Sequence, residues 1–246
     1  MHLSSEGVVL RDYCRDEDRI LTILTRKYGL ITAFANKANR PRSPLAGSTE
    51  LLCHSTFEIF KNRERCSVDR AECLHSFFGL RANVEDLALA CWFAQLMGEL
   101  AYGENEADEY INLILAALYN LEQKRRPHNL LKPAYELRLL TLSGFMPDLV
   151  TCSCGGIDND ASYLYFSIEG NLTCSHCISP GMPGVYALSP GVLAAMRHVA
   201  YSEPRRVFSF SLSEDGSRLL REISEAFLLR QVEKTFTALE FYRSLV

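Results

Sequence analysis

Four of the nine cysteines stand in two close pairs, Cys152-x-Cys154 and Cys174-x-x-Cys177, with nineteen residues between the pairs. Thiolates spaced this way suit one tetrahedral Zn²⁺, because each pair clamps the ion from a turn while the chain between them folds back as a hairpin. That hairpin is legible. Ser162–Ile168 is aromatic and β-branched, Glu169-Gly170-Asn171 has turn chemistry, and Leu172-Thr173 leads into the second pair. The first pair has one intervening residue where zinc ribbons usually have two. In extended chain residues i and i+2 point the same way, so both sulfurs still reach one ion, and His176 is an alternative ligand to one sulfur. Four sulfurs leave no open position for an activated water, so the expected site is structural, with one Zn²⁺ per chain. The competing reading is four reduced cysteines with no metal. Cys14, Cys53, Cys66, Cys73 and Cys91 have no paired spacing and read as small buried hydrophobes.

No other constellation supports catalysis. The sequence contains no Gly-rich phosphate loop, no Gly-x-Ser-x-Gly and no His-Glu-x-x-His, and its six histidines lack metal or triad spacing. The chain is therefore read as a non-enzyme. The remaining chemistry is charge. Arg26, Lys27, Lys37, Arg40, Arg42, Lys61, Arg63 and Arg65 all fall at expected turns or strand ends of the first 80 residues. There, cations can meet phosphates while Tyr28, Phe34, Phe57 and Phe60 stack on bases. The opposing reading is a solvated basic rim with those aromatics in the core.

The elements that must position these residues change character along the chain. Gly7–Leu10, Ile20–Thr25, Ile31–Ala35, Leu51–Phe60 and Arg65–Arg70 read as short strands, with Arg11–Asp18 a polar turn and Asn36–Pro44 a basic, Pro-containing loop. Five or six such strands predict a small closed barrel. From about Ala82 the period becomes helical: Val84–Tyr102, Asp108–Leu121 after a capping turn at Asn105, Asn129–Ser143 ended by Gly144, Ser189–Tyr201, and Ser213–Leu245 capped by Ser213. The expected fold is α+β and multidomain: an N-terminal OB-type barrel at 1–80, a helical body at 81–246, and a Cys₄ zinc-ribbon-like insert at 150–180.

Composition bounds the function. Of 246 residues 48% are hydrophobic and 23% charged, with net charge −4, which excludes both disorder and a nucleic-acid binder that works by bulk charge. Residues 1–80 carry 12 Lys and Arg against 10 Asp and Glu, leaving 14 against 20 for the rest, so a local basic face stays open. No apolar run is long enough to span a bilayer, and the first residues lack signal-peptide character, so a cytoplasmic location away from membranes is expected.

Local sequence also resembles the bacterial RecO family of recombination mediators. The resemblance rests on Gly7-Val8-Val9-Leu10, Asp18-Arg19-Ile20-Leu21-Thr22, Arg40-Pro41-Arg42-Ser43-Pro44-Leu45-Ala46-Gly47, Tyr135-Glu136-Leu137-Arg138-Leu139-Leu140, Gly144-Phe145-x-Pro147-x-Leu149, and Phe166-Ser167 ahead of Gly170 and the second cysteine pair. Two departures stand out: Lys37-Ala38-Asn39-Arg40 lacks the glycine usual in the family, and the first cysteine pair is one residue short. The resemblance implies binding and annealing of single- and double-stranded DNA, action with RecR to load RecA, and a nucleoid-associated location. It also implies capture of the acidic C-terminal tail of single-stranded-DNA-binding protein, for which Arg125, Arg126, Lys132 and Arg138 of the helical body are the candidate cations. The alternative is an acidic protein-interaction scaffold that does not touch DNA.

Overall fold

A computed structural model describes residues 1–63, 65–101, 107–152, 154, 164–178, 181 and 183–246. The chain forms two compact units, Met1–Gln123 together with Phe236–Val246, and Lys124–Thr235.

The first unit is built on a closed barrel. Its strands are β1 (His2–Arg15), β2 (Asp18–Thr25), β3 (Gly29–Ala35), β4 (His54–Asn62) and β5 (Arg65–His75), in the order β1-β2-β3-β5-β4. Every neighbouring pair is antiparallel except β3 with β5, which run parallel. Side chains alternate across the barrel wall as the period of two requires. Leu21 and Ile23, Ile31 and Ala33, Phe57 and Ile59, and Cys66 and Val68 fill the interior. At Gly7 a Cβ would come within 2.8 Å of both Ile23 Cγ2 and the Leu24 carbonyl oxygen, so β1 and β2 meet too closely for any side chain there. The sequence expectation of a polar turn over 11–18 is corrected to a tight turn at Asp16–Glu17. Arg11–Arg15 stays in β1 because it pairs with Asp18–Thr22, although both of its faces meet solvent.

Among the described residues three α-helices and a short 3-10 turn at Phe78–Ala82 complete this unit. Helix α1 (Val84–Leu100) starts at Asn83, whose side chain accepts from the Asp86 N–H, and buries Leu89, Trp92, Phe93, Leu96 and Met97. Helix α2 (Asp108–Glu122) carries two acids in its first turn; the expected cap at Asn105 lies outside the described residues.

The second unit holds α3 (His128–Leu142), α4 (Pro190–Tyr201) and α5 (Glu214–Val232) with a four-stranded sheet, β6 (Asp148–Cys152), β8 (Asn171–Cys174), β7 (Leu164–Ser167) and β9 (Val185–Leu188) in that spatial order. Gly144, at φ 89°, ends α3 as its sequence position predicts, and the Phe145 N–H returns to the Leu140 carbonyl. Strands β6 and β9 were not anticipated. The single helix expected over Ser213–Leu245 is corrected to α5, capped by Ser213, and α6 (Thr237–Arg243), which belongs to the first unit. Glu233 turns left-handed, at φ 52°, and Phe236 then packs edge-on against Trp92 with ring centroids 5.0 Å apart.

Inside the second unit Lys132 is 1% exposed and bonds Glu136 Oε1 at 2.7 Å and Glu225 Oε2 at 2.6 Å. The Ser224 hydroxyl donates to the other Glu136 oxygen at 2.9 Å, so α3 and α5 are joined through a buried charge cluster. Lys132→Ala strands Glu136 without its cation. That variant is expected to lose about 3–5 kcal/mol in denaturant unfolding of this unit, and the double variant Lys132→Met, Glu136→Leu to recover much of the loss.

Candidate nucleic-acid interface and metal centre

Strand direction sorts the eight barrel cations into two groups. The β2–β3 turn and the β4–β5 turn leave one end of the barrel, with Arg26, Lys27, Lys61, Arg63 and Arg65. The β1–β2 turn and the 36–53 connection leave the other, with Lys37, Arg40 and Arg42. Sequence proximity to turns did not separate these ends; the parallel β3–β5 pairing does.

Their surroundings differ as well. Arg26 Nε lies 3.3 Å from Glu6 Oε2, and its Nη1 lies 2.6 Å from Asp108 Oδ1 and 3.3 Å from Asn112 Oδ1, so its charge ties the β2–β3 turn to the start of α2. Arg40 bonds the Glu17 carboxylate, and the Lys37 N–H donates to Asp18 Oδ1 at 2.7 Å, so this end is studded with acids. Lys27, Lys37, Arg42, Lys61, Arg63 and Arg65 are exposed and form no ion pair among the described residues.

The exposed aromatics fall into register between these ends. Ser67 of β5 pairs with Phe34 of β3 on one side and with Phe60 of β4 on the other, and Phe60 pairs in turn with His2 of β1. These positions form one row across the outside of the barrel. Phe34 is 41% and Phe60 37% exposed, and the His2 and Phe60 rings lie 5.0 Å apart. Arg65 precedes Ser67 by two positions on the same strand face, and Lys61 and Arg63 lie at the adjoining turn. Two of the proposed stacking residues are corrected: Phe57 is fully buried in the barrel interior, and Tyr28 packs against that core.

Arg19 is a cation whose role sequence reasoning missed. It is 8% exposed, and its Nη1 donates to the Ala46 carbonyl at 2.9 Å and Thr49 Oγ1 at 3.1 Å, pinning the 36–53 connection to the barrel. The only hint in the sequence was an arginine in an otherwise apolar strand.

In the second unit the sulfurs of Cys152, Cys154, Cys174 and Cys177 all lie within 4.8 Å of one another, and His176 is not in the group. A tetrahedral ion with thiolates at about 2.3 Å requires sulfurs roughly 3.8 Å apart, and Cys154 Sγ lies 3.9 Å from Cys174 Sγ. The donor set therefore fits a metal ion. Strands β6 and β8 run parallel, which sets Cys152 beside the chain entering Cys174, whose N–H donates to Cys152 Sγ at 3.2 Å. Backbone N–H groups of Cys154 and Cys174 hold the Cys152 thiol down to about 6. The neighbouring sulfurs of Cys174, Cys154 and Cys152 push Cys177 up to about 12. Four thiolates this close repel one another unless a cation neutralises them. Cys152 and Cys174 are buried while Cys154 and Cys177 are exposed, so an ion can enter from solvent.

The four candidate cations of the helical body separate too. Arg126 is half-buried and donates to the Phe210 carbonyl at 3.0 Å, and Arg125 is exposed. Lys132 is enclosed in its carboxylate cluster, and Arg138 is 7% exposed and donates to the Ala200 carbonyl at 2.8 Å. The last two face inward and present no charge to a partner. Among the five remaining cysteines, Cys53 and Cys66 are buried as expected, but Cys14 and Cys73 are exposed.

Family models described as Recombination protein O N terminal and Recombination protein O C terminal match residues 1–77 and 81–240. The chain belongs to the RecO family. Its RecO relatives include the DNA repair protein RecO of Acetivibrio thermocellus, 30% identical over 99% of this chain and 97% of the relative. The DNA repair protein RecO of Symbiobacterium thermophilum is 29% identical over 98% and 96%. That of Anaeromyxobacter dehalogenans is 30% identical over 96% and 93%. The RecO assignment supports a role in DNA repair, and the five-stranded barrel agrees with the OB-type barrel expected of the family's N-terminal part.

A pH test follows from His54, which sits at the start of β4 with Glu6 Oε2 3.8 Å away. Burial pushes this imidazole down, outweighing the raising pull of Glu6, and Arg26 and His75 add to the lowering. The unfolded chain thus takes up the proton first as pH falls through about 6.5, and the fold loses stability below that point with no contribution above it. His54→Gln is expected to flatten the decline in the barrel's unfolding midpoint between neutral and mildly acidic pH; an unchanged decline would assign it to other groups.

Proposed function

We propose that this protein is a non-enzymatic recombination mediator that binds and anneals DNA and helps load RecA onto strands covered by single-stranded-DNA-binding protein. The observation that carries the reading is the outward row of His2, Phe60, Ser67 and Phe34, bordered by exposed cations. An annealing factor needs attraction to the backbone and stacking platforms but no readout of base edges, and such a surface supplies both. Lys27, Lys61, Arg63 and Arg65 are the phosphate contacts at one end and Lys37 and Arg42 at the other. Arg26 and Arg40, held by carboxylates, position the turns that carry them. The chain's net charge of −4 confines the polyanion to this face.

RecR and the acidic tail of single-stranded-DNA-binding protein are the protein partners the family implies, with Arg125 and Arg126 the cations left to meet the tail at the surface. No described helix is long and apolar enough to cross a membrane, and we place the protein in the cytoplasm, at the nucleoid. The ion at the four cysteines is Zn²⁺, and its role is to hold the β6–β9 sheet together, since structural zinc contributes folding free energy directly.

The DNA reading is tested by fluorescence anisotropy of labelled single strands across a salt series. Replacing Lys61, Arg63 and Arg65 with Ala is expected to weaken binding alike for all sequences and to flatten the slope of log K against log salt by about 0.7 per lost contact, roughly two units in all. The triple Lys37, Arg40, Arg42 variant is expected to lose less, because Arg40 already meets Glu17. Unchanged affinity and slope in both would leave the protein-interaction scaffold as the better account. For the metal, about one Zn per chain is expected on purification, and Cys174→Ser is expected to lose it together with protection of the sheet from proteolysis. Stoichiometric zinc retained in Cys174→Ser, Cys177→Ser would remove the assignment.

A further inference from the structure

Two cysteines outside the metal cluster are in direct contact. Cys53 Sγ and Cys73 Sγ lie 3.2 Å apart, although nineteen residues and most of a hairpin separate them in the chain. Cys53 immediately precedes β4 and Cys73 lies near the far end of β5, where β5 accommodates one extra residue: His54 pairs with His75 and Ser55 with Cys73. The backbone around Cys53 is fixed. Its N–H donates to the Glu50 carbonyl, and its own carbonyl accepts from the Val9 N–H. Ser55, 3.3 Å from the Cys53 sulfur, donates its hydroxyl to the Ser48 carbonyl. One sulfur is shielded and the other open, since Cys53 is 1% exposed while Cys73 faces solvent.

We propose that Cys53 and Cys73 form a redox-active dithiol that a peroxide converts reversibly to a disulfide. The Cys73 sulfur attacks one peroxide oxygen; an S–O bond forms, the O–O bond breaks, and one water leaves once the protons are redistributed. The Cys53 sulfur then attacks the resulting sulfenic sulfur; an S–S bond forms, the S–O bond breaks, and a second water leaves. The two thiols are oxidised by two electrons in total, and hydrogen peroxide is reduced to two waters. The order of attack follows from exposure. Burial pushes the Cys53 thiol up to about 12, so the buried sulfur is a poor first nucleophile, but it already stands where a sulfenic acid on Cys73 would need a resolving thiol. The bond would join the start of β4 to β5, at the point where the 36–53 connection bearing Lys37, Arg40 and Arg42 re-enters the barrel. The proposal stands apart from the DNA-binding reading, since its readout is covalent.

The test uses the full, zinc-loaded chain treated with graded hydrogen peroxide, quenched by alkylation and mapped by proteolysis and mass spectrometry. The expected product is a linked pair of peptides containing Cys53 and Cys73, lighter by two hydrogens and restored by dithiothreitol. Exposed Cys14, which has no thiol partner among the described residues, serves as the comparison and should form no internal link. In Cys53→Ser, and in Cys53→Ala should the serine not fold, Cys73 is expected to accumulate as sulfinic and sulfonic acid several-fold faster than in the natural chain. Equal over-oxidation of Cys73 with and without Cys53, or a link from Cys73 to any other sulfur, would overturn the proposal.

Discussion

The barrel closes through its shortest pairing. Strands β3 and β5 meet in parallel at Ala33 with Cys66 and Phe34 with Ser67, whereas the other four contacts are longer antiparallel ladders. Without this junction two edge strands would present unpaired backbone to solvent, and the interior of Leu21, Ile23, Phe57 and Ile59 would open on one side. The same junction brings Phe34 of the third strand level with Phe60 of the fourth, which an open meander would leave strands apart. Closure thus supplies both the core and the outward row.

Around that surface, charge is organised by partner rather than by number. Carboxylates engage some cations: Glu6 and Asp108 take Arg26 and Glu17 takes Arg40 at the surface, while Glu136 with Glu225 take Lys132 inside. What these pairs leave uncompensated would set where a polyanion is drawn, because screening at physiological salt strongly damps contributions from charges beyond about 8 Å. A chain with an acidic total can in this way keep a cationic patch. The sulfurs follow the same logic, with four thiols too close to ionise together unless an ion joins them.

Much of this was legible from residue order. Alternation in Ile20–Thr25, Ile31–Ala35 and Leu51–Phe60 identified the barrel, and Gly144 marked the end of α3, because burial and left-handed backbone both leave local signatures. The misreadings share a cause. Arg11–Arg15 is polar yet stays in a strand, since its partner strand, not its own pattern, keeps it extended. Strands β6 and β9 are four or five residues long and half-exposed, too short to show a period. Lys132 and Arg138 look like surface cations until Glu225 and the Ala200 carbonyl arrive from remote chain, although Glu136, four residues after Lys132, was a local hint. The Cys53–Cys73 contact had no signal at all, because it depends on the register and bulge of a hairpin.

The chain path has a further consequence. The second unit is an insertion: residues 124–235 leave the first unit after α2 and return to it as Phe236–Val246, where Phe236 packs edge-on against Trp92 and the Gln95 side chain accepts from the Ala238 N–H. During synthesis the ribosome therefore delivers the whole second unit before it delivers the segment whose Phe236 packs on Trp92. The earlier-made portion must wait with that aromatic surface uncovered while the later-made portion folds. The interval for which Trp92 lacks Phe236 therefore lengthens with every residue of the insert.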